Sequence, residues 1–160
     1  IEAMSIAHAL FLLPPFHGGG RREITHRPKV YAFDTGFVSF VRGWDSIRED
    51  DRGFLWEHLV LDMLRTVVDN PNLFYWRDKS GREVDFVIRG ARQQADVIEC
   101  KINPGSFESA SLVIFRSLYP EGRNYVISPH VRTAYRRRYG ELQVEFISTQ
   151  ELYSGAWATG

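Results

Sequence analysis

A chain of 160 residues that is 44% hydrophobic and 14% aromatic can fill one core and is too short for two ordinary domains, so it is expected to form a single globular unit with at most a small appendage. Its twenty basic and twenty acidic side chains cancel, which removes bulk charge as an argument for a polyanion partner and leaves only local patches. A single cysteine, Cys100, excludes an intrachain disulfide framework and a cysteine-rich zinc site and predicts a reducing, cytoplasmic compartment. No apolar run approaches the ~20 residues of a membrane span, and no charged-then-apolar signal segment opens the chain. The chain starts at Ile1 without an initiator methionine and is expected to be part of something longer.

Ile1 to Leu13 begins like the end of a helix, continues as the apolar run Ala9-Leu10-Phe11-Leu12-Leu13 and stops at Pro14-Pro15. After the loop His17-Gly18-Gly19-Gly20-Arg21-Arg22, a second β-prone run returns at Lys29-Val30-Tyr31-Ala32-Phe33. A helix followed by two strands around a flexible basic loop is the pattern of the last part of a winged-helix unit, placed here at residues 1–34. Arg21 and Arg22 can touch a phosphate backbone or simply stay solvated. The glycines are not followed by Gly-Lys-Ser/Thr, which excludes a phosphate-binding P-loop.

Asp34-Thr35-Gly36 is the triplet that carries the catalytic acid of aspartic proteases, but one copy cannot supply the paired carboxylates that this chemistry needs. The favoured reading is a cap, with Asp34 or Thr35 starting a short helix from Phe37 to Val41 that Gly43 ends. From Phe54 to Val68 the pattern is helical. At 100° per residue, Trp56, Val60, Met63, Leu64 and Val67 fall on one arc, with His58, Asp62, Arg65 and Asp69 opposite. Glu57 breaks the pattern by projecting between Leu64 and Val68, where an unpaired carboxylate is costly. Either it pairs with a buried Lys or Arg, Arg77 being a candidate, or it points at a site that wants negative charge.

Asn70-Pro71-Asn72 ends that helix, Leu73 to Arg77 reads as a strand, and Asp78-Lys79-Ser80-Gly81 as a turn. Arg82 to Lys101 then reads as a hairpin. Strict alternation puts Glu83, Asp85 and Val87 on one face and Val84, Phe86 and Ile88 on the other, with Glu99 and Lys101 sharing a face on the second strand. If the hairpin is symmetric about Arg92, Asp85 lies across from Glu99 and Glu83 across from Lys101. Facing carboxylates are destabilising unless a cation sits between them, and a divalent metal beside a lysine would answer that. The plainer alternative is the solvated face of an exposed hairpin.

Beyond Asn103-Pro104-Gly105 a helix is expected from Phe107 to Leu118, ended by Pro120, and Asn124 to Ser128 forms a fourth strand parallel to its neighbour because a helix intervenes. Val131 to Tyr139 carries Arg132, Arg136, Arg137 and Arg138, a basic cluster that is solvated or touches phosphate. Val144 to Ile147 is a last strand, followed by a helical turn at Gln150-Glu151-Leu152. The expected fold is α/β, a mixed sheet of about four central strands with the Phe54–Val68 helix on one face and the Phe107–Leu118 helix on the other.

A helix with Glu57, a strand, a strand with Asp85, a strand with Glu99-Cys100-Lys101, a helix and a strand resembles, in that order, the PD-(D/E)XK nuclease superfamily and its restriction-endonuclease-like fold. More closely, Lys29-Val30-Tyr31, Asp34-Thr35-Gly36, Trp56-Glu57, Tyr75-Trp76-Arg77, Glu83-Val84-Asp85-Phe86 and Glu99-Cys100-Lys101 look like the C-terminal domain of unknown function found in a family of prokaryotic AAA-type ATPases, over about Leu12 to Ser128. The resemblance implies a restriction-endonuclease-like mixed sheet flanked by helices over residues 35–160, preceded by the β-hairpin remnant of a winged helix. It implies that Asp85 and Glu99 hold Mg²⁺ or Mn²⁺, that Glu57 supports this ion or a second one, and that Lys101 orients the attacking water or stabilises the developing phosphorane charge, so that Lys101, Glu99 and Asp85 are the catalytic set. It further implies DNA as the partner and an ATPase domain ahead of this one in the complete protein. The acidic position sits in Glu-Val-Asp rather than Pro-Asp. Two function classes follow, a Mg²⁺-dependent DNA phosphodiesterase under ATPase control, and a non-catalytic module that binds DNA or a protein or couples the ATPase to assembly.

Overall fold

In the computed structural model, which describes residues 9–17, 27–43, 45–91, 94–155 and 157, a six-stranded mixed sheet separates two hydrophobic layers. The elements are β1 (Leu10–Leu13), β2 (Lys29–Ala32), α1 (Thr35–Val41), α2 (Glu49–Val67), β3 (Leu73–Arg77), β4 (Glu83–Arg89), β5 (Ala95–Cys100), α3 (Ala110–Leu118), β6 (Asn124–Ile127), β7 (Tyr135–Tyr139), β8 (Leu142–Ile147) and α4 (Thr149–Ser154). The expected helix end before Ala9 and the loop Gly18 to Arg22 lie outside the described residues.

The sheet order is β3-β4-β5-β6-β8-β7. β3, β4 and β5 are antiparallel neighbours, β5, β6 and β8 run parallel, and β7 returns antiparallel along β8. The parallel step follows α3, because a parallel neighbour needs a crossover. Leu112 and Phe115 of α3 cover one face together with Val97, Val126 and Phe146, while Trp56, Val60, Leu61 and Leu64 of α2 cover the other against Phe86, Ile98, Tyr125 and Ile127. This is the two-helix arrangement expected. The six strands are the four central ones expected, the expected last strand β8, and β7, which was not expected. Its run Tyr-Arg-Arg-Arg-Tyr shows no apolar alternation, yet Tyr135 stacks on Phe146 with ring centroids 4.8 Å apart, and the pairing with β8 is complete from Tyr135 to Tyr139.

The β4–β5 pairing keeps the expected register where it is formed, with Phe86 opposite Ile98 and Arg89 opposite Ala95. Strict alternation along β4 does not hold. Phe74 of β3 faces Val87 but Trp76 faces Val84, so Tyr75 stands against two residues, Asp85 and Phe86, and the strand bulges there. Val84 and Val87 therefore both reach the α3 layer, whereas Phe86 and Ile88 reach the α2 layer.

α2 starts at Glu49, earlier than the apolar pattern indicates, because Glu49, Asp50 and Asp51 place negative charge on its first turn. His58, expected on the polar side, is fully buried. β2 covers that flank, and a ring nitrogen of His58 lies 2.8 Å from the Ala32 carbonyl oxygen. Asp34 is the cap of α1, its carboxylate accepting from the Phe37 N–H at 2.7 Å. β1 and β2 pair as a hairpin whose Leu13 and Tyr31 belong to the α2-side core. From β1 the chain runs along the free margin of β3, where Tyr75 N–H donates to the Pro14 carbonyl at 3.1 Å and Phe16 N–H donates to the Tyr75 carbonyl at 2.6 Å. Among the described residues no helix is long and apolar enough to cross a membrane.

Candidate functional site

Three acidic side chains, Glu57, Glu83 and Asp85, gather where β4 passes beneath α2. The third turn of α2 aims Glu57 at the β4–β5 hairpin, and alternation along β2 presents Lys29 and Tyr31 to it together. Glu57 Oε1 accepts from Lys29 Nζ at 2.8 Å and from the Tyr31 hydroxyl at 2.5 Å. Lys29 Nζ also contacts Glu83, whose other oxygen is held by Arg77 from the facing position on β3. Of the two alternatives for Glu57, it pairs with a lysine, Lys29, and the candidate Arg77 serves Glu83, its cross-strand neighbour, instead. Glu83 does not face Lys101 either, because β5 ends at Cys100 and Glu83 is engaged on the β3 side.

The β4 bulge turns Asp85 toward this group. One oxygen each from Glu57, Glu83 and Asp85 lies within 4.8 Å of the others. Asp85 Oδ2 also accepts the Cys100 N–H at 2.7 Å, taking a backbone donor from the end of the β5 ladder. The expectation that Glu99 lies across from Asp85 as a facing carboxylate is corrected: the β4–β5 ladder pairs Phe86 to Arg89 with Ile98 to Ala95 and stops short of Asp85, which the bulge turns toward Glu57. Glu99 shares a row with Val126 and Phe146 of the α3-side layer, is only 6% exposed, and is held by Lys101 Nζ at 3.1 Å. Asp85 and Glu99 thus adjoin through charge rather than through a common set of oxygens, with Lys101 attracting both.

Burial is the main electrostatic influence here. Asp85 is raised above the ordinary carboxylate range by burial and then by the Glu57 charge, against the pull of Lys101, the Cys100 N–H and Lys29. Glu99 is raised by burial and by Asp85, against Lys101. For Lys29, burial alone would lower the value, but Glu57 and Glu83 together outweigh it and push it up to about 12. Lys101 behaves alike, burial being outweighed by Glu99 and Asp85. Both lysines are therefore ammonium ions at neutral pH, so Lys101 can orient or neutralise but cannot take up a proton. Burial and the charges of Asp85 and Glu57 lift the Cys100 thiol well above its usual range, which makes it a packing group rather than a nucleophile.

The donors fit a hard divalent cation. They are carboxylate oxygens only, three of them converge, and such a set suits Mg²⁺ or Mn²⁺ rather than a thiolate- or imidazole-seeking metal. Lys29, Tyr31 and Glu83 were not singled out as site residues from the sequence. Glu83 had a signal in standing two positions before Asp85 on one strand, and Lys29 and Tyr31 in being the polar members of an otherwise apolar run.

Residues 52–149 match a family described as a domain of unknown function, DUF4143. Two mycobacterial relatives, the uncharacterized protein Mb2031c of Mycobacterium bovis and the uncharacterized protein Rv2008c of Mycobacterium tuberculosis, are each 32% identical over 81 residues, covering 48% of this chain and 18% of theirs. The chain therefore matches less than a fifth of the length of these curated relatives. Among solved structures, a refined half-complex from the tetradecameric assembly of Thermococcus gammatolerans McrB AAA+ hexamers with bound McrC aligns with a TM-score of 0.42 at 13% identity, over 60% of this chain and 27% of that one. The matched family span takes in Glu57, Glu83, Asp85, Glu99 and Lys101 and covers more than half of the sequence: the chain belongs to the DUF4143 family.

Proposed function

We propose that this domain is a divalent-metal-dependent phosphodiesterase that acts on DNA under the control of an AAA-type ATPase carried by the complete protein. The observation that carries the reading is the convergence of Glu57, Glu83 and Asp85 beside the Glu99–Lys101 pair. Glu57, Glu83 and Asp85 would hold Mg²⁺ or Mn²⁺, with Glu99 adjoining. When bound, such an ion supplies Lewis-acid stabilisation of phosphate charge and a water of lowered pKa. The chain's own groups do the positioning. The Cys100 N–H fixes the Asp85 carboxylate, and the Tyr31 hydroxyl fixes that of Glu57. Glu99 holds Lys101 so that its ammonium can orient the attacking water and offset charge gathering on the phosphorane oxygens. The link to an ATPase is supported by the likeness of the motifs to the C-terminal domain of such proteins.

A second reading has its own observation. Lys29 and Arg77 already neutralise Glu57 and Glu83, which suits a non-catalytic module that keeps the nuclease-like fold to bind DNA or a protein. Calorimetric titration with Mn²⁺ and nicking of supercoiled plasmid, on the wild type, Asp85→Ala and Lys101→Ala, separate the two. The phosphodiesterase reading expects Mn²⁺ heat that Asp85→Ala abolishes, and nicking that Lys101→Ala abolishes while ion binding persists. No Mn²⁺ heat and no nicking by the wild type would establish the module.

A further inference from the structure

We propose that Lys29 is a built-in substitute for the divalent cation. Its ammonium holds the carboxylate cluster together in the metal-free protein, and an ion enters only as Lys29 withdraws, so the β1–β2 hairpin sets the metal affinity of the domain. The proposal rests on the metal-site reading above and adds to it the element that controls the site.

The geometry leaves no room for both cations. Lys29 Nζ bonds Glu57 and Glu83, two of the three converging acids. Glu57 Oε1 also receives the Tyr31 hydroxyl, and the second oxygen of Glu83 is held by Arg77. A metal ion about 2.1 Å from these oxygens would sit within a few ångströms of the ammonium, in a partly buried place where like charges repel strongly. Tyr31 and Arg77 can keep their bonds beside an ion, because each engages one acid from its own side. Lys29 alone bridges two acids across the gap between them.

Lys29 also has somewhere to go. Its side chain is 17% exposed on a flexible stem, so the ammonium can swing outward to solvent. Its backbone belongs to β2, which lies before the family-matched span 52–149 that holds all the acids. The competing charge is thus delivered by a separate two-stranded element, and anything that pulls on that hairpin changes how tightly the acids are clamped.

The experiment uses the whole chain and the substitution Lys29→Met, which keeps the stem and removes the charge. Melts in chelator should show a lower Tm than the wild type, because Glu57 and Glu83 lose the ammonium that bridges them. Added Mn²⁺ should restore it, and the calorimetric Kd for Mn²⁺ should be tighter than the wild type's by about tenfold or more. In the unmutated protein, labelling of Lys29 by an amine-reactive reagent, read by mass spectrometry against the exposed Lys79, should rise when Mn²⁺ saturates the site. If Lys29→Met binds Mn²⁺ no better than the wild type, or if Mn²⁺ slows the labelling of Lys29, the substitution idea is overturned and the metal site stands. If neither protein binds Mn²⁺, both the idea and the metal-site reading fall. Should Lys29→Met fail to fold, the labelling result on the wild type decides alone.

Discussion

Asp85 carries the main conflict in the molecule, a carboxylate placed where burial and the Glu57 charge both oppose its ionisation. Glu99 shares that conflict from the other side of the sheet. A carboxyl raised in the folded state binds its proton there more tightly than in the unfolded chain, so its stabilising contribution is present at low pH and is lost as pH rises through the folded value. Lys29 and Lys101 titrate well above this window and do not alter the sign. In metal-free buffer the Tm should therefore decline between about pH 5 and 8, and Asp85→Asn should flatten the decline. A wild-type Tm that rises across this range would remove the conflict from the account. Glu57 was readable as an anomaly because helical periodicity exposes a charge on an apolar arc. Its partner was not readable, since Lys29 lies 28 positions away on another element and nothing in the spacing favours it over Arg77. His58 was misplaced for a related reason. Periodicity shows which flank of a helix is apolar, but not that β2 will cover the neighbouring flank as well.

Elements are held to one another by a few polar ties that packing alone would not reveal. Arg116, near the end of α3, is buried, and among the described residues its hydrogen bonds go to an amide oxygen and backbone carbonyls rather than to a carboxylate. Its guanidinium donates to Asn124 Oδ1 at 2.6 Å and to the carbonyls of Tyr119, Glu121 and Arg123 at 3.1, 3.0 and 2.7 Å, fastening the turn between α3 and β6. Burial pulls it down to about 10, so it stays charged at neutral pH. Arg116→Met should cost roughly 2–4 kcal/mol in urea unfolding, because the freed carbonyls lose a fitted donor. In the same turn Gly122 adopts φ 128°, and a methyl group there would overlap the Ala95 carbonyl. Gly122→Ala should be destabilising by about 2–4 kcal/mol, measured in the same way. The strands and helices facing these ties were readable from alternation and from the helix between β5 and β6. The bulge at Asp85 and Phe86 was not, because it exists only relative to Tyr75 on the partner strand. β7 was hidden because arginines mask the alternation by which an edge strand is recognised.

At the scale of the whole molecule, the row Glu99, Val126, Phe146, Tyr135 runs straight across the sheet. Three strand spacings separate its ends, about 14 Å, close to the ~12 Å width of a DNA major groove. β7 runs antiparallel to β8, so Arg136 and Arg138 lie toward the end of the sheet away from Lys101, where a surface groove of about 540 Å³ is lined by Arg116, Arg123 and Arg136 together with Glu141 and Glu145. On the DNA-binding proposal, replacing Arg136 and Arg138 by serine should weaken duplex binding uniformly across sequences and lower the salt slope by about 1 to 2, read by fluorescence anisotropy against NaCl. An unchanged slope would take β7 off the DNA path. The α/β class and the sheet-between-helices plan were readable because element order and periodicity agree over most of the chain; how the β1–β2 hairpin seats against β3 was not, since it depends on contacts between Pro14, Phe16 and Tyr75. That seating has a consequence for solubility. An open sheet ends in bare backbone groups that another chain can extend. Here one margin is lined by Pro14 and Pro15, which have no N–H to offer, and the other is β7, where Arg136 and Arg138 project charge into solvent. Both ends of the sheet therefore resist strand-by-strand growth into aggregates, and valine at positions 136 and 138 would open the route that arginine closes.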